Sequence, residues 1–114
     1  MAERPRPPRY APFAISTDLD AGSTVIALRG ELDLDSAGRL EAEVGRARAR
    51  GATRIVLDLQ QVDFIDSTGL RVLLGIRNDV KRSGHALLLV PPGPAVLRIF
   101  AITGTRGLFD WQES

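Results

Sequence analysis

The period of apolar and polar positions changes several times along the chain, and each change marks an element. Residues 13–17 and 24–28 read as two short strands. Asp18-Leu19-Asp20-Ala21-Gly22-Ser23 between them has turn composition, which pairs the strands as a hairpin. Gly30-Glu31-Leu32-Asp33 leads into a helix for which Asp33, Asp35 and Ser36 are candidate caps. Leu40 and Val44 stand four apart and, with Ala37 and Ala47, give that helix its core stripe; Gly51 stops it. Ile55-Val56-Leu57 then opens a buried strand over 54–59. In Val62-Asp63-Phe64-Ile65 the apolar side chains are expected to plug the end of the core. From Leu70 the period becomes helical: Leu70, Leu73, Leu74 and Val80 fall near one face, Ile76 widens the stripe, and Arg71, Asn78, Asp79 and Lys81 fall elsewhere. The helix therefore starts at Asp66 or Ser67 and stops at Ser83-Gly84. His85-Ala86-Leu87-Leu88-Leu89-Val90 is another buried strand, ended by Pro91-Pro92-Gly93. Pro94 suits the first position of a short helix carrying Val96, Leu97, Phe100 and Ile102. Leu108, Phe109 and Trp111 are expected to form a last short strand. The order β-β-α-β-α-β-α-β predicts an α/β domain, a mixed sheet of about five strands with helices packed on it.

Composition bounds the class. A chain of 114 residues is one domain with room for a core, and 44% hydrophobic with 25% charged residues is ordinary for a globular protein. The net charge of +1 gives no electrostatic drive towards nucleic acid or an anionic membrane, and neither is expected as a partner. Part of that charge is local: Arg4, Arg6 and Arg9 against Glu3 leave +2 in the leader and −1 in the rest. The leader, residues 1–12, also carries Pro5, Pro7, Pro8 and Pro12 and is expected to be extended or disordered. Without cysteine there is no disulfide and no thiolate metal site. No apolar run reaches the ~18 residues of a membrane span, and a cytoplasmic location is expected.

The candidate chemistry sits where the central strand passes into its helix, at Asp66-Ser67-Thr68-Gly69. The first turn of a helix has backbone N–H groups without intrahelical partners and the positive end of the macrodipole. A hydroxyl there is held at the surface, and an anion attached to it is locally stabilised. Capping alone also favours Asp, Ser and Thr at such a position. No Glu or Gln follows three residues after either hydroxyl, so there is no capping box, and one cap does not require three polar residues in succession.

The run VLDLQQVDFIDSTGLRVLLG resembles the signature segment of STAS domains, in particular the stand-alone anti-sigma factor antagonists of bacteria. Their Asp-Ser-(Ser/Thr)-Gly-Leu motif opens a helix after the third strand, and its first hydroxyl is phosphorylated by the partner anti-sigma factor. Gly30-Glu31-Leu32-Asp33 is similar to a second motif of that family, at the end of its second strand. The resemblance covers about 13–109. It implies that Ser67 is the phosphoacceptor, that Asp33, Asp63, Asp66, Ser67, Thr68, Gly69 and Leu70 form the partner-binding surface, and that an anti-sigma factor serine kinase and a phosphatase are partners. The unmodified form would free a sigma factor without touching DNA. It implies no catalytic residue, cofactor or metal in this chain. A STAS adaptor or scaffold subunit in a stress-sensing or lipid-transport complex is the alternative, with a small-ligand-binding module behind it. Family members usually continue into a C-terminal helix, whereas this chain stops at Ser114 soon after Trp111, so that helix is expected to be absent.

Other chemistries fit less well. A hydrolase needs a base for Ser67, and His85, the only histidine, begins a strand expected to start at the far end of the sheet; G-x-S-x-G is also absent. A phosphate-receiving aspartate at Asp58 would need a helix where the hairpin stands, and the only lysine, Lys81, lies in the second helix. There is no G-x-G-x-x-G and no Walker loop for a nucleotide.

Overall fold

β1 (Ala14–Asp20) and β2 (Ser23–Leu32) pair antiparallel, with Ala14 opposite Arg29 and Asp20 opposite Ser23. The turn between them is only Ala21-Gly22. Both residues have positive φ, 52° and 85°, the backbone a tight two-residue hairpin needs. β1 therefore runs three residues further than its apolar positions indicate. As an outer strand it has one open side, where Asp18 and Asp20 stay in water and blunt the edge. The computed structural model describes residues 12–112; the leader expected to be disordered lies, Pro12 apart, outside the described residues.

β3 (Arg54–Ile65) pairs parallel with β2, and β4 (Ala86–Val90) pairs parallel with β3, giving a mixed sheet in the order β1-β2-β3-β4. The crossovers are α1 (Leu34–Ala49) and α2 (Ser67–Arg82), which lie against each other, α1 over β2 and α2 over β3 and β4. Ala37, Leu40, Val44 and Ala47 of α1 are buried, as their spacing predicts. So are Leu70, Leu73, Ile76 and Val80 of α2, while Leu74 sits at the margin. Ala37 apart, these side chains meet Ile26, Leu28, Ile55, Leu57 and Leu89 in one core. A fully buried leucine such as Leu40 or Leu73 contributes roughly 1.5–3 kcal/mol.

α3 (Pro94–Ile102) packs on β3 and sends Val96 and Phe100 into the same core. The last strand expected from Leu108, Phe109 and Trp111 shrinks to a 3-10 turn at Arg106–Leu108 and a single parallel bridge between Leu89 and Trp111. Side-chain packing explains the loss of ladder. Phe109 and Trp111 meet Phe100 edge-on, at 5.7 and 5.2 Å between ring centroids, and the indole N–H donates to the Arg106 carbonyl at 2.9 Å.

β3 departs most from the expected pattern. It runs unbroken through Gln60 and Gln61 to Ile65, because two bulges re-phase it. Between Ala27↔Asp58 and Arg29↔Gln61, and again between Gly30↔Val62 and Glu31↔Phe64, β3 carries one more residue than β2. At the first bulge the Asp58 carboxylate accepts the Gln60 N–H at 3.0 Å; at the second, Gly30 stands at φ 101°, a backbone that favours glycine. The buried positions accordingly go from Ile55, Leu57 and Leu59 to Val62 and then Ile65. Phe64, expected to help plug the core, is instead turned outward and 44% exposed.

The β2–β3 pair also outruns its neighbours. β1 begins opposite Arg29 and β4 ends opposite Asp58, whereas β2 and β3 finish together at Leu32 and Ile65. The result is a two-stranded tip carrying Glu31, Asp63 and Phe64.

At the other end of the sheet Glu43 of α1 accepts hydrogen bonds from the Thr17 hydroxyl and, at 2.5 Å, from Arg46. The Thr17 hydroxyl first, and Arg46 second, hold its carboxyl below the ordinary range. A depressed carboxylate stabilises the fold above its unfolded pKa, and that stabilisation is lost as pH falls through the folded value. Glu43→Gln should therefore lower the urea midpoint at pH 7 and narrow its difference from wild type as the pH drops below the ordinary carboxylate range.

Candidate functional site

Parallel strands that end side by side deliver two helix starts to one place. Leu32 pairs with Ile65, and each strand runs directly into an aspartate cap. Asp33 caps α1: its carboxylate accepts the N–H groups of Asp35 and Ser36 at 3.0 and 3.2 Å, and the Ser36 hydroxyl accepts the Asp33 N–H at 2.9 Å, closing a capping box. Asp66 caps α2 by accepting the Gly69 N–H at 2.8 Å. The carboxyl ends of adjacent parallel strands, fronted by helix N-termini, are the usual place for a functional site in an α/β sheet.

The two starts are tied together. The Asp66 N–H donates to the Leu32 carbonyl at 3.3 Å. Gly69 lies so close behind it that a Cβ there would overlap the Leu32 carbonyl oxygen and come within 3.0 Å of both its carbon and Leu32 Cγ. Glycine is thus required at 69 by a close approach of helix to strand, at a helical φ.

Ser67 is the first residue of α2 and is exposed; Thr68 is half-buried. The cap comes from Asp66, and among the described residues neither hydroxyl joins it as a hydrogen-bond partner. Gly69 and Leu70 are buried and act by fixing the helix start. Asp63 stands exposed on the second bulge, and Asp33 and Asp66 are part-exposed. All the residues expected in the site therefore gather at one end of the sheet, four of them presenting polar groups around Ser67.

Two neighbours escaped the sequence reading. Leu34 opens α1 beside Asp33 and is 73% exposed, and Phe64 stands on the tip. Leu34 is flanked by Asp33 and Asp35, and Phe64 follows Asp63 and pairs with Glu31. The available signal was Leu34 between Asp33 and Asp35, off the Ala37–Leu40–Val44 stripe. His85 lies at the opposite end: Ala86, the next residue, pairs with Arg54 at the start of β3. No Ser–His pair can form at Ser67. A cavity of about 610 Å³ also belongs to that far end, lined by Thr17, Glu43 and Arg50, away from Ser67. Among the described residues no helix is long and apolar enough to cross a membrane.

Known proteins share this fold. The anti-sigma-B factor antagonist of Bacillus subtilis is 33% identical over 85 residues, covering 75% of this chain and 77% of its own. The solved anti-sigma factor antagonist of Mycobacterium paratuberculosis superposes with a TM-score of 0.79 at 27% identity, over 88% of this chain and 85% of that one. The anti-sigma factor antagonist SpoIIAA of Bacillus, at 25% identity, matches in its unphosphorylated form (TM-score 0.74; 89% and 88% of the two chains) and its phosphorylated form (0.68; 89% and 91%). The family model of the STAS domain matches residues 14–113, which takes in the paired strand ends, both caps and the whole of α2. On that match this chain belongs to the STAS domain family.

Proposed function

We propose that this chain is an anti-sigma factor antagonist, and that phosphorylation of Ser67 switches its partner binding off. The observation that carries the reading is an exposed serine at the first position of α2, freed from capping by Asp66. Relatives named anti-sigma factor antagonists, one of them solved in a phosphorylated form, support it. In the unmodified state the face formed by Asp33, Asp63, Asp66, Ser67 and Thr68 docks on an anti-sigma factor, which then releases its sigma factor. The anti-sigma factor is also the kinase. It brings ATP and magnesium; the Ser67 oxygen bonds to the γ-phosphorus as the bond to ADP breaks, the hydroxyl proton passes to a base of the kinase, and a phosphatase later transfers the phosphoryl group to water and restores the hydroxyl.

Added phosphate carries about −1.5 to −2 charges. The fold tolerates it, because the free N–H groups and dipole of the α2 start favour an anion. The interface does not. Once a partner covers it, the phosphate loses water and faces Asp33, Asp63 and Asp66; one like pair ~4 Å apart repels by about 4 kcal/mol at an effective dielectric of 20. A hundredfold loss of affinity needs only about 2.7 kcal/mol, so one phosphate suffices even after screening.

The test is incubation with candidate anti-sigma kinases and ATP, followed by intact-mass analysis. One phosphate gained by wild type and absent in Ser67→Ala supports the reading; phosphate on Thr68 instead moves the acceptor by one residue. Leu34 and Phe64 are the apolar anchors of the same face. Truncating either to Ala should weaken partner binding roughly tenfold, about 1.4 kcal/mol, with the urea midpoint nearly unchanged, as measured by calorimetry. Retained affinity in both variants would place the contact elsewhere.

A further inference from the structure

The arginines of α1 and α2 have partners, with one exception. Arg46 pairs with Glu43 and Arg82 with Asp79, each with the acid three positions before it. Arg39 donates to the Phe13 carbonyl, Arg48 to the Ser83 hydroxyl and Arg77 to the Leu108 carbonyl. Arg71 is exposed and has no hydrogen bond or ion pair among the described residues. The positions three and four before it, where a helical arginine finds its acid, hold Thr68 and Ser67.

Helix geometry relates the two residues. Side chains of an α-helix lean towards its N-terminus, so each covers the turn before its own, and positions i and i+4 share a face. Ser67 opens α2 and Arg71 stands one turn on, which brings the guanidinium within reach of a group carried by Ser67. An acid four residues before a base is also the favoured order for such a pair. The other charges gathered at this end are carboxylates: Asp33 and Asp35 at the start of α1, Glu31 and Asp63 on the tip, and Asp66 itself. Across the groove between the helices, Glu41 of α1 lies with Gly75 and Asp79 and makes no ion pair with Arg71.

We propose that Arg71 holds the phosphate once Ser67 carries it and keeps that phosphate a full dianion. The proposal rests on Ser67 being the acceptor. A planar guanidinium offers paired N–H donors to phosphate oxygens. A cation beside the phosphate favours its more highly charged form and moves the second ionisation down, whereas the carboxylates around the helix start move it up. Arg71 offsets them. The modified protein then keeps its whole added charge, and with it the repulsion of a partner, to lower pH. Because a neutral serine gives Arg71 no acid, the pair forms and dissolves with the modification.

The experiment uses the full chain with phosphoserine installed at 67 by chemical ligation, so that no kinase is involved. Phosphorus NMR at low salt follows the second ionisation of the phosphate, ordinarily near about pH 6. Arg71→Gln should raise it by about 0.3 unit relative to wild type, a roughly twofold loss of preference for the dianion. Arg71→Lys should restore most of the shift, and roughly 0.5 M salt should bring Arg71→Gln and wild type together. Lys81→Gln removes the same charge from the far end of α2 and should titrate like wild type. Identical titrations in wild type and Arg71→Gln overturn the proposal. An equal shift in Arg71→Gln and Lys81→Gln overturns it too, by assigning the effect to net charge. Ligation fixes the phosphate at 67, whereas the acceptor itself is judged by kinase incubation, so the two readings fail independently.

Discussion

Ser67→Asp is expected to fold like wild type and to bind the anti-sigma factor at least tenfold more weakly, with the phosphorylated protein near a hundredfold weaker. The two halves of this result have separate causes. An acidic residue in the first turn of α2 interacts favourably with unpaired N–H groups, and a surface change of this kind stays within about 0.5 kcal/mol, a melting shift of roughly 4 °C or less. The affinity loss arises only when a partner removes water from a face already holding Asp33, Asp63 and Asp66. Because aspartate carries one charge where the phosphate carries nearly two, the substitution reproduces part of the effect. Melting curves and calorimetric titration against the unmodified partner measure the two halves. Wild-type affinity in a folded Ser67→Asp protein would end the argument from repulsion.

Gly69→Ala should destabilise the domain by about 2–4 kcal/mol, a fall in melting temperature of roughly 10–20 °C. Helix propensity alone predicts the opposite sign, since alanine is favoured over glycine by about 1 kcal/mol inside a helix. The steric term wins because the new Cβ would press on the Leu32 carbonyl, a backbone group that also accepts the Asp66 N–H and cannot swing aside. Gly75, exposed on the same helix with nothing within 4 Å of a Cβ, is the control. Gly75→Ala should gain up to about 1 kcal/mol. Urea midpoints of the two variants should move in opposite directions. A Gly69→Ala protein as stable as wild type would mean that α2 can withdraw from Leu32 without cost.

The helices were legible because their stripes and stops are local. Asp66 and Ser83-Gly84 bracket α2 within a residue of its bounds, and Leu40 and Val44 fix the inner face of α1. The placement of the candidate site was legible for a related reason: Asp66, Ser67, Thr68 and Gly69 follow one another in sequence, so the helix start that exposes the serine is written in a single run. What the alternation hid depends on partner strands. The bulges at Gln60 and Asp63 exist only as a mismatch in length between β2 and β3, and no window on β3 alone shows them. Phe64 looked like core because it is large and apolar; it is exposed on a tip that β1 and β4 stop short of. Trp111 failed as a strand residue because three aromatic rings found one another, a tertiary choice that propensity does not record.

The hydrogen bond from Asp66 to Leu32 joins residues that lie far apart along the chain, so the helix start that exposes Ser67 is tied to the pairing of β2 with β3. A synthetic peptide holding only the α2 segment would be a marginal helix in water and would lack the neighbouring strand. A kinase that reads this surface would therefore pass over nascent, misfolded or proteolysed copies. If Ser67 is the acceptor proposed above, modification would mark molecules whose sheet has closed.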